Sequence, residues 1–339
     1  MFKIATVYES GLFRNDGNPL FVSSYLTRVQ YYCDAIHQRK LNEWTLRGFT
    51  NPKKPDDFRA EATAKWFLAT YDPEGLQCKH LRPYGDLKPY GEFNLWIDVD
   101  WGEDALTGVL PYKPIEIPHP ILRWNSDTHI QMLGNDSYPY RLEKSRKADY
   151  VFCAQKRGAE WMKRDGIENP IWLPHAVEPL AYPRMNYATK KYDVCFVGHI
   201  NSGNRIDALD RLFREFPNFY YGQRLFESAA SIYGQSKIVF NISMTDDLNM
   251  RVFEGMATGS MLLTNWIPTI EEFFQDGVHL VLYRNEEEMI EKAKYYIEHD
   301  EEREKIAAAG CDEVLKNHTI ACRVNKMLET VMEKKLVTA

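Results

Sequence analysis

The chain has 339 residues, 44% of them hydrophobic and 27% charged, with a formal net charge of -6 at pH 7. That length exceeds what one hydrophobic core normally fills, so two domains are expected, and the composition is that of a globular chain rather than a disordered or fibrous one. The negative balance argues against a protein that wraps nucleic acid non-specifically, and six cysteines without C-x-x-C or Cys/His ligand spacing argue against a disulfide or zinc scaffold.

FKIATVY, Phe2 to Tyr8, reads as a first core strand, with neither the long apolar segment of a membrane span nor the small-residue cleavage site of a signal peptide. ESGLFRNDGNP follows as a glycine-punctuated loop before a helical pattern from about Leu20 to Arg39. A loop at this place is the usual ligand edge of a doubly wound sheet, although Gly11 and Gly17 lack the G-x-G-x-x-G spacing of a dinucleotide site. Asn51 to Asp57 is a Lys/Pro/Asp loop, and Phe58 to Thr70 has a helical apolar stripe. Glu92 to Asp100, EFNLWIDVD, is a strand closed by Asp98-Val99-Asp100, a D-x-D triplet that either binds a divalent metal or simply ends the strand.

Pro118 to Trp124 is another strand, running into NSDTHI. Asp127, Thr128 and His129 therefore stand at a carboxyl strand edge, where open α/β sheets display their chemistry. His129 titrates near neutrality and suits a base or donor, with Asp127 close enough to orient it; the alternative is a satisfied structural histidine. Tyr138 to Lys147 is a helix, Asp149 to Ala154 a strand, Gln155 to Asp165 a helix and Pro170 to Leu173 a strand. Eight Lys/Arg against three Asp/Glu between Arg141 and Arg164 give either a basic face for an anionic acceptor or membrane surface, or a solvated helix face.

The Pro/Tyr/Asn stretch from Pro174 to Lys191 has lost periodicity and marks a linker. YDVCFVGHINSGNR then gives a strand (Tyr192 to Val197), a glycine-bearing loop and a helix (Ile206 to Phe216). Gly198 lets the backbone approach a diphosphate that Arg205, near the helix start, neutralises, while Asn201 and Asn204 are ligands or ordinary helix caps. SKIVFNISMTDDLNMRVFEGMATGSMLLTN, Ser236 to Asn265, is the central strand-helix-strand unit: strand Lys237 to Ile242, a polar loop, a helix opening near Asn249, and strand Ser260 to Thr264 reached through Gly259. Asp246 and Asp247 are good N-cap residues, and the helix start with Arg251 one turn in makes an anion site. Glu254 lies on the same face as Arg251, where a carboxylate can accept both hydroxyls of a ribose. The bland alternative is an Asp247–Arg251 pair with Glu254 solvated. Ile270 to Phe274, Glu286 to Ile297, Glu301 to Lys316 and Thr319 to Lys335 read as helices, and His279 to Tyr283 as a strand.

Asp246, seven residues, Glu254 and the closing EGMATGS resemble the E-x7-E signature of group 1 (family 4) GT-B glycosyltransferases, and NMRVFEGMATG is nearest to their spore-maturation-protein-B-like branch. The first Glu of that signature is Asp246 here, one methylene shorter. The interdomain L-P-N-G-V-D of that group becomes LPHAVE, with His175 for Asn and Glu178 for Asp. The resemblance implies that Asp246 works beside the transferred sugar with His129 and Asp127. It puts Arg14, Asp16 and Gly17 near the reacting sugar and acceptor, where a plain surface turn is the other reading. It also implies that Gly198, His199, Asn201, Arg205, Asn249, Arg251 and Glu254 hold a nucleotide-sugar donor, with retention of configuration. D-x-D metal binding belongs to the other glycosyltransferase fold, GT-A, so no metal and no cofactor beyond the co-substrate, a UDP-sugar by preference, is expected.

The expected fold is α/β: two Rossmann-like doubly wound domains facing a cleft, with an acceptor domain over 1–175, a hinge over 176–191, a nucleotide-sugar domain over 192–318 and a C-terminal helix over 319–339 that packs back towards the first domain. The expected activity is transfer of a sugar from a nucleotide-sugar to a hydroxyl of a glycan, protein, small molecule or modified nucleobase. A nucleic-acid acceptor has only the basic run behind it. A non-catalytic nucleotide- or glycan-binding module, or a nucleotide-sugar epimerase, are the alternatives. Cysteine usage and the lack of an apolar span point to the cytoplasm.

Overall fold

A computed structural model describes residues 2–9, 44–51, 95–100, 119–126, 128, 138–198, 203–222, 226–243, 245 and 247–337. The helices expected at 20–39 and 58–70 lie outside the described residues. The chain divides into two compact units, residues 1–174 with 324–339, and residues 175–323.

In the first unit, β1 (Phe2–Glu9), β2 (Trp44–Asn51), β3 (Leu95–Asp100), β4 (Ile121–Asn125), β5 (Tyr150–Cys153) and β6 (Ile171–Trp172) form one sheet in the order β2-β1-β3-β4-β5-β6. Every pairing in it is parallel. β2 went unread in the sequence. All five residues of β4 are buried, as a strand covered on both faces requires. Helices α1 (Tyr138–Ser145) and α2 (Lys156–Arg164) follow β4 and β5. The Trp124 indole donates to Leu173 O at 3.1 Å, tying the middle of the sheet to the residue that follows its last strand.

The second unit holds β7 (Tyr192–Val197), β8 (Phe219–Gly222), β9 (Ser236–Asn241), β10 (Met261–Asn265) and β11 (Val281–Tyr283), ordered β11-β10-β9-β7-β8 and parallel throughout. Strand order reverses between β7 and β9, the switch point at which such sheets open a crevice at their carboxyl ends. Helices α3 (Gly203–Glu215), α4 (Phe226–Gly234), α5 (Met250–Ala257), α6 (Glu286–Glu298) and α7 (Asp300–Asn317) cover the sheet, and α8 (Ile320–Val337) leaves it. The core joins Val194, Phe196, Ile238, Phe240, Met261 and Leu263 of the strands to Leu209 and Leu212 of α3 and Met289 of α6. Helix α3 starts a turn earlier than Ile206, and Ile270–Glu272 is a single 3-10 turn. Strand β8 and helix α4 had no counterpart in the sequence reading.

Where this unit begins and ends, its two ends run side by side. Val177 N donates to His318 O at 3.0 Å and Ile320 N to Val177 O at 2.9 Å. Arg323 Nη2 reaches His175 O and the His318 ring Nδ1, both at 3.0 Å. The His318 ring packs among Phe253, Phe273 and Phe274, with its Nε2 3.5 Å from Glu313. Burial first, then the Arg323 charge, push its pKa down to about 4. The unfolded ring titrates near about 6.5, so between those values the unfolded chain binds the extra proton. Stability is therefore complete above pH 6.5 and falls as pH drops towards 4. Urea midpoints measured across that window should decline, and His318→Gln should flatten the decline; an unchanged slope would clear His318 of the effect.

Candidate functional site

The site grows from the carboxyl ends of β7 and β9. Strand β7 ends in Phe196 and Val197 and stops at Gly198, whose φ of +155° suits glycine. The Gly198 amide donates to Gly222 O at 3.0 Å. A Cβ built on Gly198 would overlap Arg251 Nη2, so the missing side chain is the space the guanidinium occupies.

Arg251 reaches back from the first turn of α5. Its Nε donates to Val197 O at 2.8 Å, its Nη1 to Asn241 Oδ1 at 2.7 Å, and its guanidinium lies 4.1 Å from the Phe196 ring centroid. Arg205, from α3, approaches the same ring at 5.5 Å and donates to Ile242 O at 3.1 Å. Burial, and then the neighbouring Arg251 charge, lower the Arg205 pKa to about 10. Two cations thus share one aromatic platform beside the switch point, and the Val197, Asn241 and Ile242 oxygens that accept from them are neutral. An anion entering here gains both charges in a partly desolvated setting.

Asn241 is the hub below them. Its Nδ2 donates to Thr264 Oγ1 at 2.9 Å and its Oδ1 accepts from both Arg251 and, at 3.1 Å, Asn249 Nδ2. Asn249 is the N-cap of α5, but its side chain makes no cap bond to the helix amides and its buried Oδ1 has no donor among the described residues. Among the described residues the N-cap side chain thus makes no bond to the first turn of α5, which leaves its dipole for another anion. Asp247 is buried and is not the cap. Glu254, one turn beyond Arg251, is half-buried. The buried Tyr233 phenol feels both residues: burial raises its pKa most, the Glu254 charge adds and Arg251 opposes.

Of the residues expected to bind a donor, Gly198, Arg205, Asn249 and Arg251 come together at this edge, and Glu254 lies on the same helix as Arg251. His199, Asn201 and Asp246 lie outside the described residues, as do Arg14, Asp16, Gly17, Asp127 and His129. Between the last two, Thr128 is buried and clamped by Gln155, whose Oε1 accepts from Thr128 N at 3.1 Å and Oγ1 at 2.9 Å and whose Nε2 donates to Ser126 O. In the β3–β4 register Asp98 stands opposite Arg123 and Asp100 opposite Asn125, and both β4 residues are fully buried. Among the described residues no three His, Cys, Asp or Glu side chains gather as a metal cluster, and no helix is long and apolar enough to cross a membrane. Phe196, Asn241 and Tyr233 were missed in the sequence. Only Asn241, a polar residue closing the apolar run IVF, left a signal there.

Residues 176–329, which contain this site, match a family model described as glycosyl transferase-like. No curated protein matches the chain in sequence. Among solved structures, it is similar to a sucrose-phosphate synthase from Thermosynechococcus elongatus (TM-score 0.60, 11% identity, 100% of each chain covered). Similar also are HepE of Anabaena in complex with UDP and glucose (TM-score 0.63, 11% identity, 98% of this chain and 100% of that one), and a glycosyltransferase involved in avilamycin A biosynthesis (TM-score 0.58, 9% identity, 97% and 96%). At such identities the likeness is one of fold, which is that of GT-B glycosyltransferases.

Proposed function

We propose that this chain, whose residues 176–329 form a glycosyl transferase-like domain, transfers a sugar from a nucleotide-sugar to a hydroxyl acceptor. The observation that carries this is the pair of guanidiniums, Arg205 and Arg251, stacked on Phe196 at the switch point beside the uncapped start of α5. A diphosphate seated there carries the charge that grows as the glycosidic bond breaks, and fixed cations and helix amides stabilise that charge without reorganising. The base we assign to the donor is uracil, on the UDP seen with the Anabaena protein; reaction with retention and membership of the spore-maturation-protein-B-like branch rest on the Asp246-x7-Glu254 pattern.

Glu254 takes the ribose hydroxyls in this reading. Glu254→Ala should weaken donor binding by about 1–3 kcal/mol, the worth of a charged hydrogen bond. Calorimetry showing unchanged affinity in the folded variant removes Glu254 from the site. Asp246, Asp127 and His129 are assigned to the sugar end, with Asp16, Gly17, His199 and Asn201 lining the site. His129→Ala then lowers turnover more than donor affinity, and a normal rate would end that assignment.

No metal enters the proposed reaction. The test is a thermal-shift panel of UDP, GDP, ADP, dTDP and CMP without metal and then with manganese. Saturation at a hundredfold over Kd stabilises the fold by about 2.7 kcal/mol. A metal-independent shift with UDP supports the reading. A shift that needs manganese overturns the metal-free mechanism, and no shift with any nucleotide points to a non-catalytic module.

A further inference from the structure

Beyond the donor site, the same unit carries a cavity of about 300 Å³ that nothing in the proposed reaction uses. It opens at the opposite edge of the sheet, where strands begin. Lys190 precedes β7 and Gly259 precedes β10, and both line it; the remaining walls are the 184–188 segment and Glu304 and Ala308 of α7.

Lys190 is the group that gives this cavity its chemistry. Its ammonium donates to Gly234 O at 2.9 Å and Ser260 Oγ at 3.3 Å, two neutral acceptors, and among the described residues no carboxylate lies within ion-pair distance. An ammonium has three donors, so one remains. Burial lowers its pKa, and the charge of Glu304 on the same wall opposes that shift. The other charges on the wall are already engaged: Glu304 accepts from Arg303 at 3.1 Å, and Arg184 pairs with Asp312 at 2.9 Å. Arg184 keeps further N–H donors, Glu304 keeps acceptor capacity, and the exposed Tyr187 completes the lining.

The segment is seated rather than draped. A Cβ on Gly234 would fall 2.5 Å from Met185 Cβ and 3.1 Å from Tyr187 Cε2, and Met185 N donates to Thr258 O at 3.0 Å. Thr258 closes α5, whose first turn carries Arg251. Seven residues along the helix, about 10 Å of rise, therefore separate Arg251 from Thr258.

We infer that this cavity is a second ligand site for a small hydroxylated anion, its phosphate or carboxylate held by Lys190 and Arg184 and its hydroxyls by Glu304. The experiment titrates glucose 6-phosphate, gluconate and inorganic phosphate into the full chain by calorimetry and thermal shift, with UDP as a separate arm. A sugar phosphate tighter than gluconate assigns the phosphate source, and the reverse order the carboxylate. Lys190→Met should lower that affinity at least tenfold while the UDP response is kept. Ala308→Phe, which fills the cavity without touching the charge, should do the same and serves if Lys190→Met does not fold. Absence of binding by all three anions at millimolar concentration overturns the inference, as does binding that survives both variants or that UDP displaces competitively. A missing UDP response with anion binding intact would instead strike at the proposed transferase activity alone.

Discussion

Arg251→Ala should lower turnover by about 10²–10³-fold, the usual loss when one fixed electrostatic stabiliser of a transition state is removed. The side chain has two jobs. It clamps Val197 O and Asn241 Oδ1, joining the ends of β7 and β9, and it presents charge on Phe196. Deletion leaves Val197 O without that donor, at a cost of about 1–3 kcal/mol in stability. It also relieves Arg205, whose pKa its neighbour helps to depress, so one cation stays at the edge. Donor binding should therefore weaken without vanishing, while kcat falls further than affinity. Arg251→Lys should recover little, since a point charge cannot serve two acceptors and a ring together. Kinetics of donor hydrolysis or transfer, with UDP affinity measured beside them, separate these effects. A folded Arg251→Ala protein with unchanged turnover would remove the platform from catalysis.

The rhythm of strands and helices was legible wherever apolar runs were bounded by turn residues. VCFV of β7, IVF of β9 and MLL of β10 are continuous because both faces of a parallel sheet are covered, and they stand where the apolar runs placed them. Strands β2 and β8 were not legible. TLRGFT and FYYG mix polar residues or glycine into short runs, and their strand identity comes from pairing with β1 and β7 rather than from their own pattern. At the site, the types and spacing of Arg251, Glu254 and Asn249 were readable because they share one helix. What could not be read was convergence across elements. Nothing in the residues themselves says that Phe196 lies under two guanidiniums from α3 and α5, or that Asn241 rather than Asp247 meets Arg251. Those contacts are made by the sheet, which brings β7 beside β9 although a strand and two helices separate them in the chain.

Gly198→Ala tests that convergence most directly. At a φ of +155° an alanine is strained by about 1–3 kcal/mol, and its Cβ would overlap Arg251 Nη2. The atom it meets ends a flexible side chain, so the guanidinium swings away and the fold survives with a displaced cation. Donor affinity should fall about 10–100-fold, or about 1.4–2.7 kcal/mol. The decisive arrangement is a double-mutant cycle with Arg251→Ala. If glycine acts by making room for the guanidinium, Gly198→Ala costs donor affinity only while Arg251 is present, and in the Arg251→Ala background it leaves affinity unchanged. The other role for this glycine, close approach of its backbone to the diphosphate, predicts equal losses in both backgrounds. Its amide is already donated to Gly222 O, which leaves no N–H for a phosphate and favours the first outcome. Equal losses would return Gly198 to direct contact with the donor and make the overlap with Arg251 incidental.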